Sequence, residues 1–177
     1  MSRPVLVAYA SKHGSTAEVA EVVASSLVDR GLVVDVRPVG EVDDLSPYGG
    51  IVFGGALYMG RLHADGRRFL RQHRAALAAV PFAVFAMGPG SLEEKDVSGS
   101  RAQLERALET VPEVVPFAVA IFGGVVRREE LRFPFNRMPE TDARDWDAIH
   151  HWAESLPGHF GSEPEVPARP LGVATTQ

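Results

Sequence analysis

The sequence predicts an α/β protein built as a three-layer sandwich, with a five-stranded parallel sheet of order 2-1-3-4-5 and helices on both faces. Three observations carry that prediction. Short apolar runs recur along the chain, each closed by Gly, Pro or a polar residue, and longer stretches of helical spacing lie between them. Four of the five runs are apolar nearly throughout, which suits strands covered on both faces. Alternation of strand and helix calls for parallel strands joined by right-handed crossovers, a doubly wound sheet.

The elements follow in order. Val5 to Tyr9 reads as the first strand, and Thr16 to Asp29 as the first helix, because Val19, Ala20, Val23, Ala24 and Leu27 share one face and Gly31 follows as a stop. Leu32 to Arg37 alternates Val34 and Val36 with Asp35 and Arg37, so this second strand belongs at an edge. Gly50 to Gly54 is the third strand. The helix from Ala64 to Ala78 turns Phe69, Leu70 and Leu77 inward and Arg67, Arg71 and Arg74 outward. Phe82 to Met87 is the fourth strand, Ser98 to Val111 a helix with Ser98 as its cap, Val115 to Phe122 the fifth strand, and Asp142 to Leu156 the last helix. The connection Gly123 to Thr141 shows neither period and is long for a compact domain, as functional loops are. Prolines 157, 164, 167 and 170 mark a tail poor in large apolar side chains, expected to be disordered. The domain is therefore placed at 1–160 and the tail at 161–177.

Composition bounds the chemistry. The chain has 177 residues, 45% hydrophobic and 23% charged, and no cysteine. Thiol nucleophiles, disulfides and cysteine-ligated clusters are excluded, so redox chemistry would need a borrowed cofactor. With 18 Lys+Arg against 23 Asp+Glu, net −5, broad nucleic-acid binding is not expected. There is no apolar leader and no run long enough to span a bilayer, so a cytoplasmic setting is expected. His63, His73, His150, His151 and His159 make no metal spacing with nearby acids.

In such a sheet ligands bind at the carboxyl ends of the strands, beside the switch point between the first and third. The turn after the first strand, Tyr9-Ala10-Ser11-Lys12-His13-Gly14-Ser15-Thr16, runs straight into a helix. Free N–H groups and the positive helix end favour a phosphate there, and Ser11, Ser15 and Thr16 add hydroxyls. The plainer reading is that Ser15 or Thr16 caps the helix. Neither a Gly-Lys-Ser/Thr run nor three spaced glycines is present, so the two commonest nucleotide loops do not apply. A phosphoacceptor receiver would need acids at the ends of the first and third strands, where this chain has Tyr9-Ala10-Ser11 and Gly54-Gly55-Ala56.

That turn resembles the FMN phosphate loop of flavodoxins: an aromatic, a spacer, Ser or Thr, two variable residues, Gly, one residue, Thr. Ala8 stands where the pattern prefers a larger apolar residue. Phe53-Gly54-Gly55-Ala56-Leu57-Tyr58-Met59-Gly60-Arg61 and Asp145-Trp146-Asp147-Ala148-Ile149 resemble flavodoxin-domain proteins related to menaquinone-dependent protoporphyrinogen dehydrogenase. The resemblance implies a flavodoxin-like sandwich binding FMN, with Ser11, Lys12, His13, Gly14, Ser15 and Thr16 at the phosphate. Ala56, Leu57, Tyr58, Met59 and Gly60, and the loop Gly88, Pro89, Gly90 and Ser91, would then lie about the flavin ring. Tyr58 and Met59 are the face contacts, unless Tyr58 only packs locally; the second loop supplies backbone donors or is an ordinary turn. His13 reaches the cofactor or only solvent.

The long connection carries Arg127, Arg128, Arg132 and Arg137 with Phe133 and Phe135. It is a shorter version of an insertion in those relatives that suits a porphyrin or a quinone. Its arginines either pair with an anionic substrate or form a solvated basic loop. The implied function is electron transfer or a flavin-dependent oxidation, with protoporphyrinogen oxidised and a quinone as acceptor as its sharpest form. The alternatives are a carrier between redox partner proteins and an interaction module that has lost FMN. No catalytic residue and no metal ligand is singled out.

Overall fold

The computed structural model describes residues 2–12, 14–127, 129, 133, 137 and 139–161. Five parallel strands form the sheet: β1 (Val5–Ala10), β2 (Val34–Pro38), β3 (Gly50–Tyr58), β5 (Phe82–Met87) and β6 (Ala118–Phe122), in the order β2-β1-β3-β5-β6. The two-residue β4 (Arg61–Leu62) pairs antiparallel with the end of β3. Setting that hairpin aside, the order is the predicted 2-1-3-4-5. Val5 is in register with Val34 on one side and Gly50 on the other.

Strand residues alternate faces, so a strand apolar throughout feeds two cores at once. Leu6, Ala8, Phe53, Val84 and Ala86 pack with Phe69, Leu70 and Leu104 from α2 (Ala64–Gln72) and α4 (Glu94–Glu109). Val5, Val7, Val52, Phe85 and Met87 face the other way, onto Val19, Val23 and Leu27 of α1 (Ser15–Asp29) and Ile149 of α5 (Trp146–Glu154). β2 has only half-buried or exposed positions, as an edge strand should.

Several predicted boundaries need correction, each for a local reason. β3 does not stop at Gly54; Ala56, Leu57 and Tyr58 continue it, because β4 folds back to pair Leu57 with Leu62 and Tyr58 with Arg61. The single helix from Ala64 to Ala78 is two, with α3 (Arg74–Ala78) starting after a break at His73, whose buried ring lies 4.9 Å from that of Phe69. α4 begins at Glu94, not at a Ser98 cap: Glu94 and Asp96 in its first turn complement the helix dipole, and Asp96 accepts a hydrogen bond from Ser91 Oγ. β6 begins at Ala118, leaving Val115 exposed. α5 begins at Trp146, where the Asp145 side chain caps it by accepting from the Ala148 N–H at 3.0 Å. The patternless connection is closed at its base by an antiparallel ribbon of β7 (Val125–Val126) and β8 (Thr141–Asp142).

Residues 157–160 are not part of a loose tail. Pro157–His159 form a 3-10 turn, and His159 stacks on Phe117 at 4.3 Å while Phe160 meets the same ring edge-on at 5.5 Å. The remainder of the tail reading falls on 162–177, outside the described residues.

Candidate cofactor site

The cleft lies at the carboxyl ends of β1 and β3, where the strand order reverses, and is a shallow cavity of about 90 Å³ that opens to solvent. Its floor is the turn between β1 and α1. Gly14 is the N-cap of α1 and sits at φ 87, a left-handed conformation in which a Cβ is costly. Its N–H donates to Ser11 Oγ at 2.9 Å, which fixes the turn. No side chain caps the helix, so the plain capping reading of Ser15 or Thr16 does not hold. The first N–H taken up inside α1 is that of Glu18, by Gly14 O at 3.1 Å, so the amides of Ser15, Thr16 and Ala17 precede the helical ladder.

Thr16 is only 1% exposed, and its buried Oγ1 has no hydrogen-bond partner among the described residues. An unmet hydroxyl in a fold this well packed asks for an acceptor. Lys12 Nζ stands 5.5 Å from the centre of the Tyr58 ring, bridging the turn to the end of β3. No carboxylate lines the cleft among the described residues. Hydroxyls, helix-end amides and one ammonium make a donor set that fits a phosphate dianion.

The opposite wall is Ala56, Leu57 and Tyr58, joined by Met87 and Gly88 at the end of β5 and by Gly124 and Val125 at the ribbon. Met59 (φ 51) and Gly60 (φ 80) form the two-residue hairpin turn into β4, outside the cleft lining, as the two positive φ values of a mirror-image turn require. Tyr58 and Met59 are 46% and 66% exposed, an apolar pair at the rim. Gly88 gives its N–H to Phe122 O at 3.0 Å, so this amide is not a free donor for a ring, a correction to the backbone-donor reading at that glycine. Its need is for space: a Cβ there would lie 2.6 Å from Ser100 Oγ. Pro89, Gly90 and Ser91 line a neighbouring hollow against α4 that shares Leu57 and Gly88 with the cleft. His13 lies outside the described residues. Sequence reasoning missed His63, which lines the cleft, caps α2 and is tied by its N–H to Ala56 O at 2.9 Å. Its position just ahead of Ala64-Asp65 was the available signal.

Beside the cleft, the ribbon is held by charge. The Arg144 side chain is 7% exposed and donates to Asp142 Oδ1 (2.9 Å), to Asp142 Oδ2 (2.7 Å) and to Glu18 Oε2. Its guanidinium lies 4.8 Å from the Trp146 ring centre. The hydrogen bond from Arg144 holds the Asp142 carboxyl below the usual range, and the same bond raises the guanidinium. Arg127 reaches Glu18 at 4.0 Å; Phe133 and Arg137 are exposed, and Arg128, Arg132 and Phe135 lie outside the described residues. Among the described residues no cluster of three His, Asp or Glu could hold a metal, and no helix is long and apolar enough to cross a membrane.

A turn lined with hydroxyls and helix-end amides at the switch point of a doubly wound parallel sheet is the arrangement of nucleotide-binding α/β proteins. Within that class the chain belongs to the flavodoxin domain family, whose model matches residues 6–138. Its cofactor is FMN, and the turn fits the phosphate of that molecule. The chain is 22% identical to the protoporphyrinogen IX dehydrogenase [quinone] of Escherichia coli K12, over 91% of this chain and 98% of that protein. Among solved structures it resembles a point mutant of the Pseudomonas aeruginosa flavodoxin (TM-score 0.60, 17% identity, 90% of this chain and 99% of that one). It also resembles the Streptococcus pneumoniae TIGR4 flavodoxin (TM-score 0.55, 18% identity, 88% and 96%).

Proposed function

We propose that this FMN-binding redox protein is a flavin-dependent oxidoreductase, oxidising protoporphyrinogen or a similar anionic macrocycle and passing the electrons to a quinone. The observation that carries the FMN end of this reading is the buried, unpartnered Thr16 hydroxyl at the head of the cleft. The substrate end is supported by the near full-length similarity to a protein named for that reaction. When bound, the flavin ring supplies the redox chemistry. The chain's own part is to hold the phosphate through the Ser11 to Thr16 turn, including His13, and to border the ring. Ala56 to Gly60 form one border and Gly88 to Ser91 the other. The ribbon leads from the wall of the cleft into the arginine-bearing loop, which suits an acidic substrate.

The test has two stages. Purified protein titrated with FMN should show a bound-flavin absorption spectrum and quenched flavin fluorescence. Offered protoporphyrinogen, the oxidised holoprotein should bleach, and its reduced form should be reoxidised by a quinone. Flavin that responds to neither favours the second reading, a carrier between redox proteins, which the flavodoxin-like architecture supports. Protein that takes up no FMN leaves only the interaction module.

A further inference from the structure

Glu18 lies in the first turn of the helix that would carry the FMN phosphate, where a carboxylate suits the helix dipole but repels a second anion. Two arginines converge on it, one just past the end of each strand of the ribbon. Arg127 follows β7 and comes within 4.0 Å; Arg144 follows β8 and donates to it directly. Arg144 also donates to both oxygens of Asp142, itself part of β8, and its guanidinium carbon lies 4.8 Å from the ring centre of Trp146 at the start of α5. An arginine with a 7% exposed side chain, each of whose three guanidinium nitrogens has a carboxylate partner, joins α1, β8 and α5 at one point. That point adjoins Gly124 and Val125, the ribbon residues that wall the cleft.

We infer that Arg144 is a positioning residue: it clamps the ribbon to the first turn of α1, so that filling the phosphate turn and setting the ribbon wall are one coupled event. The inference rests on FMN occupying the cleft. It makes a reciprocal demand, since a clamp through which FMN steadies the ribbon is also one through which a loosened ribbon weakens FMN. A planar fork is needed to hold two carboxylates at once, so lysine should replace it only in part.

Full-length protein, apo and with FMN, is followed by amide hydrogen exchange at 124–127 and 140–142, and by fluorescence titration with FMN. In the wild type FMN should slow exchange at the ribbon. In Arg144→Ala the apo ribbon should exchange faster, FMN should no longer slow it, and FMN affinity should fall roughly 5- to 30-fold. Arg144→Lys should fall between the two, and serves alone if the alanine variant does not fold. Glu18→Gln decides the mechanism by its sign. Broken clamping predicts faster ribbon exchange and weaker FMN, whereas a carboxylate acting only by repulsion predicts tighter FMN. The losses in the double variant Glu18→Gln/Arg144→Ala should come to less than the sum of the two single losses, because the Arg144–Glu18 bond is common to both and only the longer Arg127 contact is lost in addition. Tighter FMN in Glu18→Gln, additive losses, or unchanged ribbon exchange in the Arg144 variants would overturn the clamp. Should the wild type fail to bind FMN while the Arg144 variants still free the apo ribbon, the FMN reading fails and the mechanical link stands.

Discussion

At the scale of single residues, the strongest expectations concern atoms whose needs are unmet. Thr16 Oγ1 is buried without a partner, and a hydrogen bond to a charged acceptor is worth roughly 1.5–3 kcal/mol, or about 10- to 150-fold in affinity. Thr16→Val should therefore weaken FMN by about that factor while leaving riboflavin, which lacks the phosphate, unchanged; equal losses for both ligands would place Thr16 away from the phosphate. Met59 presents the opposite case, a side chain in a place that penalises one. At φ 51 it holds the first position of a mirror-image hairpin turn, where Asn is favoured over an unbranched apolar residue. Met59→Asn should raise the urea midpoint, with a gain of up to about 1 kcal/mol. A lower midpoint would mean that the exposed thioether contributes packing.

At the scale of elements, the ribbon is held by backbone proximity as well as by charge. Ala143 N–H donates to Gly124 O at 3.0 Å, and a Cβ on Gly123 would lie 2.0 Å from Ala143 O, an atom that cannot swing aside. Gly123→Ala should push β8 outward, destabilise the fold by about 1–3 kcal/mol, and weaken FMN in parallel; urea titration and FMN titration of the same variant check both. Elements of this kind mark the limit of what was legible in the sequence. Long periodic segments, α1 above all, and the uniformly apolar strands declared themselves, because burial on both sheet faces leaves a signature across several residues. β4, β7 and β8 have two residues each, too few for any period, and exist because a partner strand is at hand. Likewise Ala56 to Tyr58 read as a loop because the turn that extends β3 uses Met at a position where Gly or Asn would have announced it. In the site, the hydroxyl-rich turn between β1 and α1 was legible as a contiguous stretch leading into a helix. For His63 only the capping position was a signal, and the link from Arg144 to Glu18 gave none, since those two residues meet only in the tertiary fold.

At the scale of the whole molecule, shifted titrations bracket the pH range of stability. Hydrogen bonds from Ser46 lower the exposed Asp44 carboxyl, and the bond from Arg144 lowers Asp142. A carboxyl lowered on folding stabilises above its unfolded value, near 4, and that contribution is lost as pH falls through the folded value. At the other end, burial, followed by the hydrogen bond donated to Asp35 at 2.9 Å, pushes the Tyr48 phenol above 10.0. A raised phenol favours the fold below its unfolded value and ceases to as pH climbs through the folded one. Urea midpoints should therefore be flat near neutrality and fall below about pH 4 and above about pH 10. Tyr48→Phe should flatten the alkaline limb, and an unchanged limb would assign it to other groups. The ribbon has a consequence for the segment it closes as well. Its strands leave and rejoin the body side by side, so the segment between Arg127 and Glu140 is spliced onto a closed stem. Lengthening such a stem-held segment costs little in closure entropy, about 0.6 kcal/mol per doubling. The stem thus lets that segment change in length at little cost to the stability of the rest.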